Sequence, residues 1–131
     1  MRWFGKEKPG DIWDEAVPSS LGDIEAAEWI RNICRAAAGC AAIVAARADG
    51  GDDAARKKLG LEGERYRRAA RAAMELAMKV SDELMRDAAV REIVELCLRA
   101  DDLKTAKILF RAIQSPTIRD PLLRDCPALA E

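Results

Sequence analysis

Seven cationic side chains fall within sixteen residues near the middle of this chain. They are Arg56, Lys57, Lys58, Arg65, Arg67, Arg68 and Arg71. On a helix, residues three or four apart, such as Arg67 and Arg71, share a face, so the segment predicts a positive surface able to attract phosphates or carboxylates. Like charges at this spacing repel each other, and we expect acidic N-terminal residues and the third helix to offset them. We call these seven residues the arginine ridge.

The formal net charge of −1 conceals an uneven distribution of charge along the chain. Residues 1–30 carry three basic and seven acidic side chains, residues 31–80 eleven and six, and residues 81–131 eight and ten. A balanced total argues against a protein that coats nucleic acid, and aromatic residues able to stack on bases are scarce beside Tyr66. Binding of nucleic acid or another anionic ligand through the ridge at residues 56–71 is therefore the alternative, not the main expectation.

The residue types present exclude several kinds of catalysis. Because the chain contains no histidine, it can build neither a Ser-His-Asp triad nor a Cys-His pair. It also lacks a glycine-rich phosphate loop and the spacings typical of metal ligands. The acidic pairs Asp52-Asp53 and Asp101-Asp102 lie where helices are expected to begin, where helix capping explains them. We expect no enzymatic activity, no cofactor and no metal.

The four cysteines, at positions 34, 40, 97 and 126, form no C-x-x-C pair. This pattern is typical of reduced, buried thiols in a cytoplasmic protein. No apolar run approaches the 18 or so residues of a membrane span, and the N-terminus lacks the apolar stretch of a secretion signal. We expect a cytoplasmic protein that does not insert into a membrane.

Residues 1–20 form an arm distinct from the rest of the chain. The arm contains two prolines, two glycines and three of the six aromatic residues, so it is not expected to be a regular helix. Its large apolar side chains must pack against the helical body or against a partner. The candidate partner-binding residues are Trp3, Phe4 and Trp13 of the arm and Arg65, Arg67, Arg68 and Arg71 of the ridge.

The composition of residues 21–131 predicts a single all-α domain. Half of the residues are apolar, many of them alanine, and runs of β-branched residues are missing. Ser20 is expected to cap the first helix, and Gly60 and Gly63 to bend or break the second. The last helix is expected to be short and to follow a turn, because two prolines interrupt this segment. The earlier helices are expected at residues 21–48, 53–80, 82–99 and 102–114.

Two segments of the chain repeat one pattern at an offset of 33 residues. Residues 73–96 and 106–129 are identical at Ala73/Ala106, Leu76/Leu109, Arg86/Arg119, Asp87/Asp120, Arg91/Arg124 and Leu96/Leu129. A period in the low thirties is typical of stacked helical hairpins. The recurrence of the Arg-Asp dipeptide at the repeat period indicates a bracing role, since a catalytic pair would need no second copy. The helix of residues 21–48 does not join the register.

The best-matched unit of this repeat resembles a tetratricopeptide-type helical hairpin. Apolar residues at Val90, Ile93, Val94 and Cys97 stand at the first-helix positions, Asp102-Leu103 at the turn, and Ala106, Phe110 and Ile113 on the second helix. The resemblance covers roughly half of the chain. It implies a stack of helix pairs with a concave surface that binds another protein or peptide, and it implies no catalysis. An antiparallel bundle of four or five helices is the other architecture compatible with the sequence.

These observations favour a small, non-catalytic interaction module. We expect it to bind a protein partner, or a second copy of itself, through a helical groove or through the arm. A scaffold, an adaptor, a chaperone-like protein and an inhibitor are all compatible with the sequence, and the partner is not identified by it.

Overall fold

The structure is a computed structural model that describes residues 10–15, 17, 20–46 and 52–131. All regular secondary structure in these ranges is helical, which confirms the expected all-α fold. The helices are α1 (Asp23–Ala46), α2 (Asp53–Ala77), α3 (Glu83–Arg99), α4 (Leu103–Phe110) and α5 (Pro116–Asp125). Short 3₁₀ turns at Ile12–Asp14 and Pro127–Ala130 precede α1 and follow α5.

The helices pack in two overlapping groups of three. Helix α1 lies against both α2 and α3, and α3 in turn lies against α4 and α5. A single buried cluster extends through these contacts, with Ile33 of α1 and Ile93 of α3 almost fully buried. Alanines without exposed surface, such as Ala37 in α1 and Ala73 in α2, let neighbouring backbones approach closely. These buried alanines are therefore core residues of closely packed helices.

Aspartates begin three of the helices as capping residues. The side chains of Asp52, Asp82 and Asp102 each accept a hydrogen bond from the backbone N–H three residues later, at 2.9, 2.9 and 3.2 Å. The prediction that Ser20 caps the first helix is wrong. Helix α1 begins three residues later, and Glu25 instead accepts the N–H of Gly22 at 3.1 Å, as the acidic member of a capping box does.

The two glycines within α2 do not interrupt the helix, contrary to expectation. Residues 53–77 are helical throughout, and Gly63 is buried opposite Val44 of α1. Packing against α1 thus outweighs the low helix propensity of glycine, which is only about 1 kcal/mol per residue. The last helix also differs from the prediction, because it begins directly at Pro116 and contains Pro121 within it.

The two copies of the repeat form similar turns between helices, with four equivalent backbone hydrogen bonds. In the first copy the N–H groups of residues 78, 79, 80 and 86 donate to the carbonyls of residues 74, 76, 77 and 82. In the second copy the N–H groups of residues 111, 112, 113 and 119 donate to residues 107, 109, 110 and 115, each exactly one period of 33 later. The sequence repeat therefore corresponds to a repeated three-dimensional unit that joins α2 to α3 and α4 to α5.

A carboxylate from the preceding helix braces each of these turns. Asp23 of α1 accepts hydrogen bonds from Ser81 N–H, Ser81 Oγ and Asp82 N–H at 2.9, 2.9 and 3.0 Å. Asp87 of α3 accepts from Gln114 N–H and Ser115 N–H at 3.1 and 2.8 Å, and these two residues lie one period after Ser81 and Asp82. Helix α1 thus braces the α2–α3 turn as α3 braces the α4–α5 turn, although the sequence of α1 does not follow the 33-residue repeat. Five helices arranged in this way are compatible with a helical repeat.

Candidate functional site

The arm is attached to the helical body at residues 11–14. The side chain of Trp13 is only 7% exposed and belongs to the buried cluster, beneath the guanidinium of Arg65 at 5.7 Å from the ring centroid. Trp13 therefore packs against the helical body of its own chain. The other aromatic candidates of the arm, Trp3 and Phe4, lie outside the described residues.

The arm supplies carboxylates to two members of the arginine ridge. Arg65 donates to both oxygens of Asp11, from Nε at 3.0 Å and from Nη2 at 2.6 Å, and its Nη1 donates to Glu62 at 3.0 Å. The hydrogen bonds from Arg65 hold the pKa of Asp11 below its ordinary value, and those to Asp11 raise the pKa of Arg65. Carboxylates of the same chain thus compensate much of the positive charge of Arg65.

Arg68 is balanced in the same way, by Asp14 of the arm and by Glu64 of α2, each with a closest approach of 3.3 Å. The expectation that acidic residues of the arm offset the ridge therefore holds for Arg65 and Arg68. The remaining carboxylates come from α2 itself and not from the third helix. In contrast, Arg67 and Arg71 are exposed and form no ion pair with any residue that the structure describes.

A groove lined by six charged side chains lies between α1 and α3, away from the ridge. This groove has a volume of about 440 Å³. It is lined by Arg31, Cys34, Arg35, Ala38, Arg91, Glu92, Glu95, Leu96 and Arg99. Four arginines and two glutamates leave a formal charge of +2 on this lining. We call it the α1–α3 groove.

Most of the positive charge in the α1–α3 groove is without a carboxylate partner. Arg31 reaches Glu92 across the groove, at 3.7 Å between Nε and Oε2. Within the described ranges, the other three arginines form no ion pair. The Nε of Arg91 is also shielded from solvent and has no hydrogen-bond partner. Because unpaired guanidinium donors are matched by carboxylates, this lining is suited to an acidic ligand.

The thiol in the groove is not an activated nucleophile. Burial raises the pKa of Cys34 to about 12, and the nearby Glu92 carboxylate adds to the shift. Since the thiolate is the reactive form of cysteine, Cys34 remains protonated and inert at neutral pH. The thiol of Cys34 is therefore unsuited to nucleophilic attack at neutral pH.

A second group of polar residues lies inside the stack, where α2 meets the start of α4. The hydroxyl of Tyr66 donates to Asp102 Oδ2 at 2.6 Å, and the thiol of Cys97 lies beside it. Burial raises the pKa of Tyr66, and burial likewise raises that of Cys97 to about 11. Asp102 is at the same time the cap of α4. These groups satisfy one another, so we interpret them as a structural link between α2 and α4.

The sequence did not single out the groove. Its signal was present, because Arg31 and Arg35 are four residues apart, as are Arg91, Glu95 and Arg99 in succession. Each set therefore forms a stripe on one helix. The two stripes are about 60 residues apart along the chain, however, and only the packing of α1 on α3 brings them to one surface.

Comparison with known proteins found no match: no family model, no curated protein and no solved structure corresponds to this chain. No helix in the described ranges has both the length and the apolar content needed to cross a membrane. Among the same residues, no three carboxylates or thiols are grouped as a metal site would require.

Proposed function

We propose that this protein is a non-catalytic interaction module that binds a segment of another protein in the α1–α3 groove. The observation that carries the proposal is the lining of the groove, where Arg35, Arg91 and Arg99 have no carboxylate partner among the described residues. The inert thiol of Cys34 supports binding instead of catalysis. The repeated turns and their bracing carboxylates support the finer proposal of a short tetratricopeptide-like stack.

The same proposal places the protein in the cytoplasm. The four cysteines are free thiols, and Cys40 and Cys97 are buried, as is usual where thiols are kept reduced. Pairing with carboxylates weakens the case for nucleic-acid binding through the arginine ridge at Arg65 and Arg68, and leaves only Arg67 and Arg71 of the four candidate arginines unpaired among the described residues.

A selection from an unbiased peptide library tests this function. Random peptides displayed on phage are selected on the wild-type chain and counted again on a variant that carries Arg35→Glu and Arg99→Glu. Both residues are exposed, so the variant should keep its fold. A matched control carries Arg67→Glu and Arg71→Glu on α2, with the same change of charge.

We expect peptides that are enriched on the wild type and on the control variant and lost on the groove variant. Enrichment that is equal on all three proteins, or no enrichment at all, would contradict the proposed function.

A further inference from the structure

We propose that the ligand of the α1–α3 groove is an extended peptide segment with acidic side chains at alternate positions. The inference rests on the proposed function and adds the chemistry of the ligand. It is argued from the charges of the groove, from the spacing of its arginines and from the residue types that its lining lacks.

The charge of the groove selects an anionic ligand. Arg31 is bridged to Glu92, so the unpaired positive charge is concentrated on Arg35 of α1 and on Arg91 and Arg99 of α3. Guanidinium groups bind carboxylates through paired N–H donors, and such charge-assisted bonds are stronger than neutral ones. A carboxylate beside Arg91 would compensate a guanidinium that forms no ion pair with any described residue of the chain.

The spacing of the arginines fits an extended chain. Arg91 and Arg99 are eight residues apart on α3, which is about 12 Å along the helix axis. In an extended peptide, side chains four residues apart point the same way and are separated by about 13 Å. Two glutamates of such a peptide, four residues apart, can therefore contact both arginines, and Arg35 on the facing helix α1 is available to a further carboxylate.

The other charged residues of the groove favour a peptide over a nucleic acid. Glu95 lies between Arg91 and Arg99 on the helix, where it would repel a continuous phosphate backbone. A peptide backbone carries N–H groups that can donate hydrogen bonds to this carboxylate, whereas a phosphodiester backbone carries no such donor. The lining also contains no aromatic side chain on which a base could stack.

Fluorescence anisotropy with defined probes tests this inference on the full-length chain. The first probe is a fluorescein-labelled eleven-residue peptide with glutamate at alternate positions and serine between them. The second has glutamine in place of each glutamate, and the third is a labelled twelve-residue oligo-dT. The proteins are the wild type, the groove variant with Arg35→Glu and Arg99→Glu, and the control with Arg67→Glu and Arg71→Glu.

We expect the glutamate peptide to bind the wild type at least about tenfold more tightly than the glutamine peptide, as a gain of one strong charge pair requires. The groove variant should lose about tenfold or more in affinity, and the control variant less than about threefold. A peptide with lysine in place of glutamate should gain affinity for the groove variant, because the charges are then exchanged. Equal losses in the two variants, or equal binding of the two peptides, would overturn the inference.

NMR titration of the wild type provides a test that does not depend on any variant. The glutamate peptide should shift the backbone resonances of residues 31–38 and 91–99 and leave those of residues 56–71 in place. Shifts confined to residues 56–71, or tighter groove-dependent binding of the oligonucleotide, would also overturn it. If the display selection yields groove-dependent peptides that are not acidic, the proposed function stands and this inference alone fails.

Discussion

Asp87 of α3 accepts the backbone N–H of Ser115, the N-cap residue that precedes α5, at 2.8 Å. The carboxylate is 97% buried and accepts the N–H of Gln114 as well, so it fixes the turn between α4 and α5 from the side of the core. The equivalent residue of the next repeat, Asp120, is exposed and forms no hydrogen bond with the described residues. The Arg-Asp dipeptide thus braces a turn through Asp87, whereas Asp120 forms no such contact with the described residues.

Replacing Asp87 by alanine should strongly destabilise the protein. The change removes the buried carboxylate that accepts two partly buried N–H groups, and we expect a loss of about 2 to 3 kcal/mol in the free energy of unfolding. Urea denaturation followed by circular dichroism measures this loss. Asp120→Ala is the matched control and should cost about 0.5 kcal/mol or less. Similar losses at the two positions would show that the carboxylate of Asp87 does not brace the turn.

Replacing Trp13 by alanine should detach the arm from the helical body. The indole is buried in the core, and its removal should lower the free energy of unfolding by about 3 kcal/mol. Asp14→Ala removes only an exposed ion pair with Arg68 and should cost about 0.5 kcal/mol or less. Thermal unfolding of both variants provides the comparison. A cost for Trp13→Ala as small as that for Asp14→Ala would mean that the arm does not contribute to the core.

The link between Tyr66 and Asp102 should make stability depend on pH. Burial opposes the ionisation of Asp102, but hydrogen bonds from the Tyr66 hydroxyl and the Thr105 N–H outweigh it and hold the pKa below the ordinary 3.8. A carboxyl group whose pKa is lower in the folded than in the unfolded protein stabilises the native state at pH values above its unfolded-state pKa. This stabilisation is lost as the pH falls through the pKa of the folded state. The Asp102→Asn variant keeps a capping side chain but loses the charge.

We therefore expect Asp102→Asn to be less stable than the wild type by about 1 kcal/mol at pH 7. The difference should shrink once the pH falls below 3.8. Urea titrations at pH 7, 5 and 3 check both statements. A difference that stays constant over this range would show that the ionised form of Asp102 is not the stabilising one.

Replacing Gly60 by alanine should stabilise the protein. Gly60 lies inside α2, is exposed, and leaves open space where a methyl group would project. Alanine has the higher helix propensity, so we expect a gain of about 0.5 to 1 kcal/mol, visible as a higher melting temperature. The gain should be smaller for Gly63→Ala, because that methyl group would lie 3.4 Å from the guanidinium of Arg67. A loss of stability in Gly60→Ala would show that α2 needs flexibility at this point.

Several features could be predicted because they depend on residues close together in the chain. Asp52 and Asp102 cap helices as expected, since a cap needs only its own side chain and the N–H groups of the next turn. The 33-residue repeat likewise predicted that the turn after α2 and the turn after α4 would resemble each other, as they do. By contrast, the bend expected near Gly60 is absent, because packing of α2 against α1 overrides local propensity.

The sequence by itself determined the helices, most of their ends and the repeat, because propensity, capping and periodicity act within a few residues. Only the tertiary structure decided which charges are paired. It brings Asp11 to Arg65, 54 residues away, and so neutralises part of the ridge that the sequence had singled out. It also brings Arg35 and Arg91 into one groove without carboxylate partners. Ion pairing depends on distances in space, and those are set only when the helices pack.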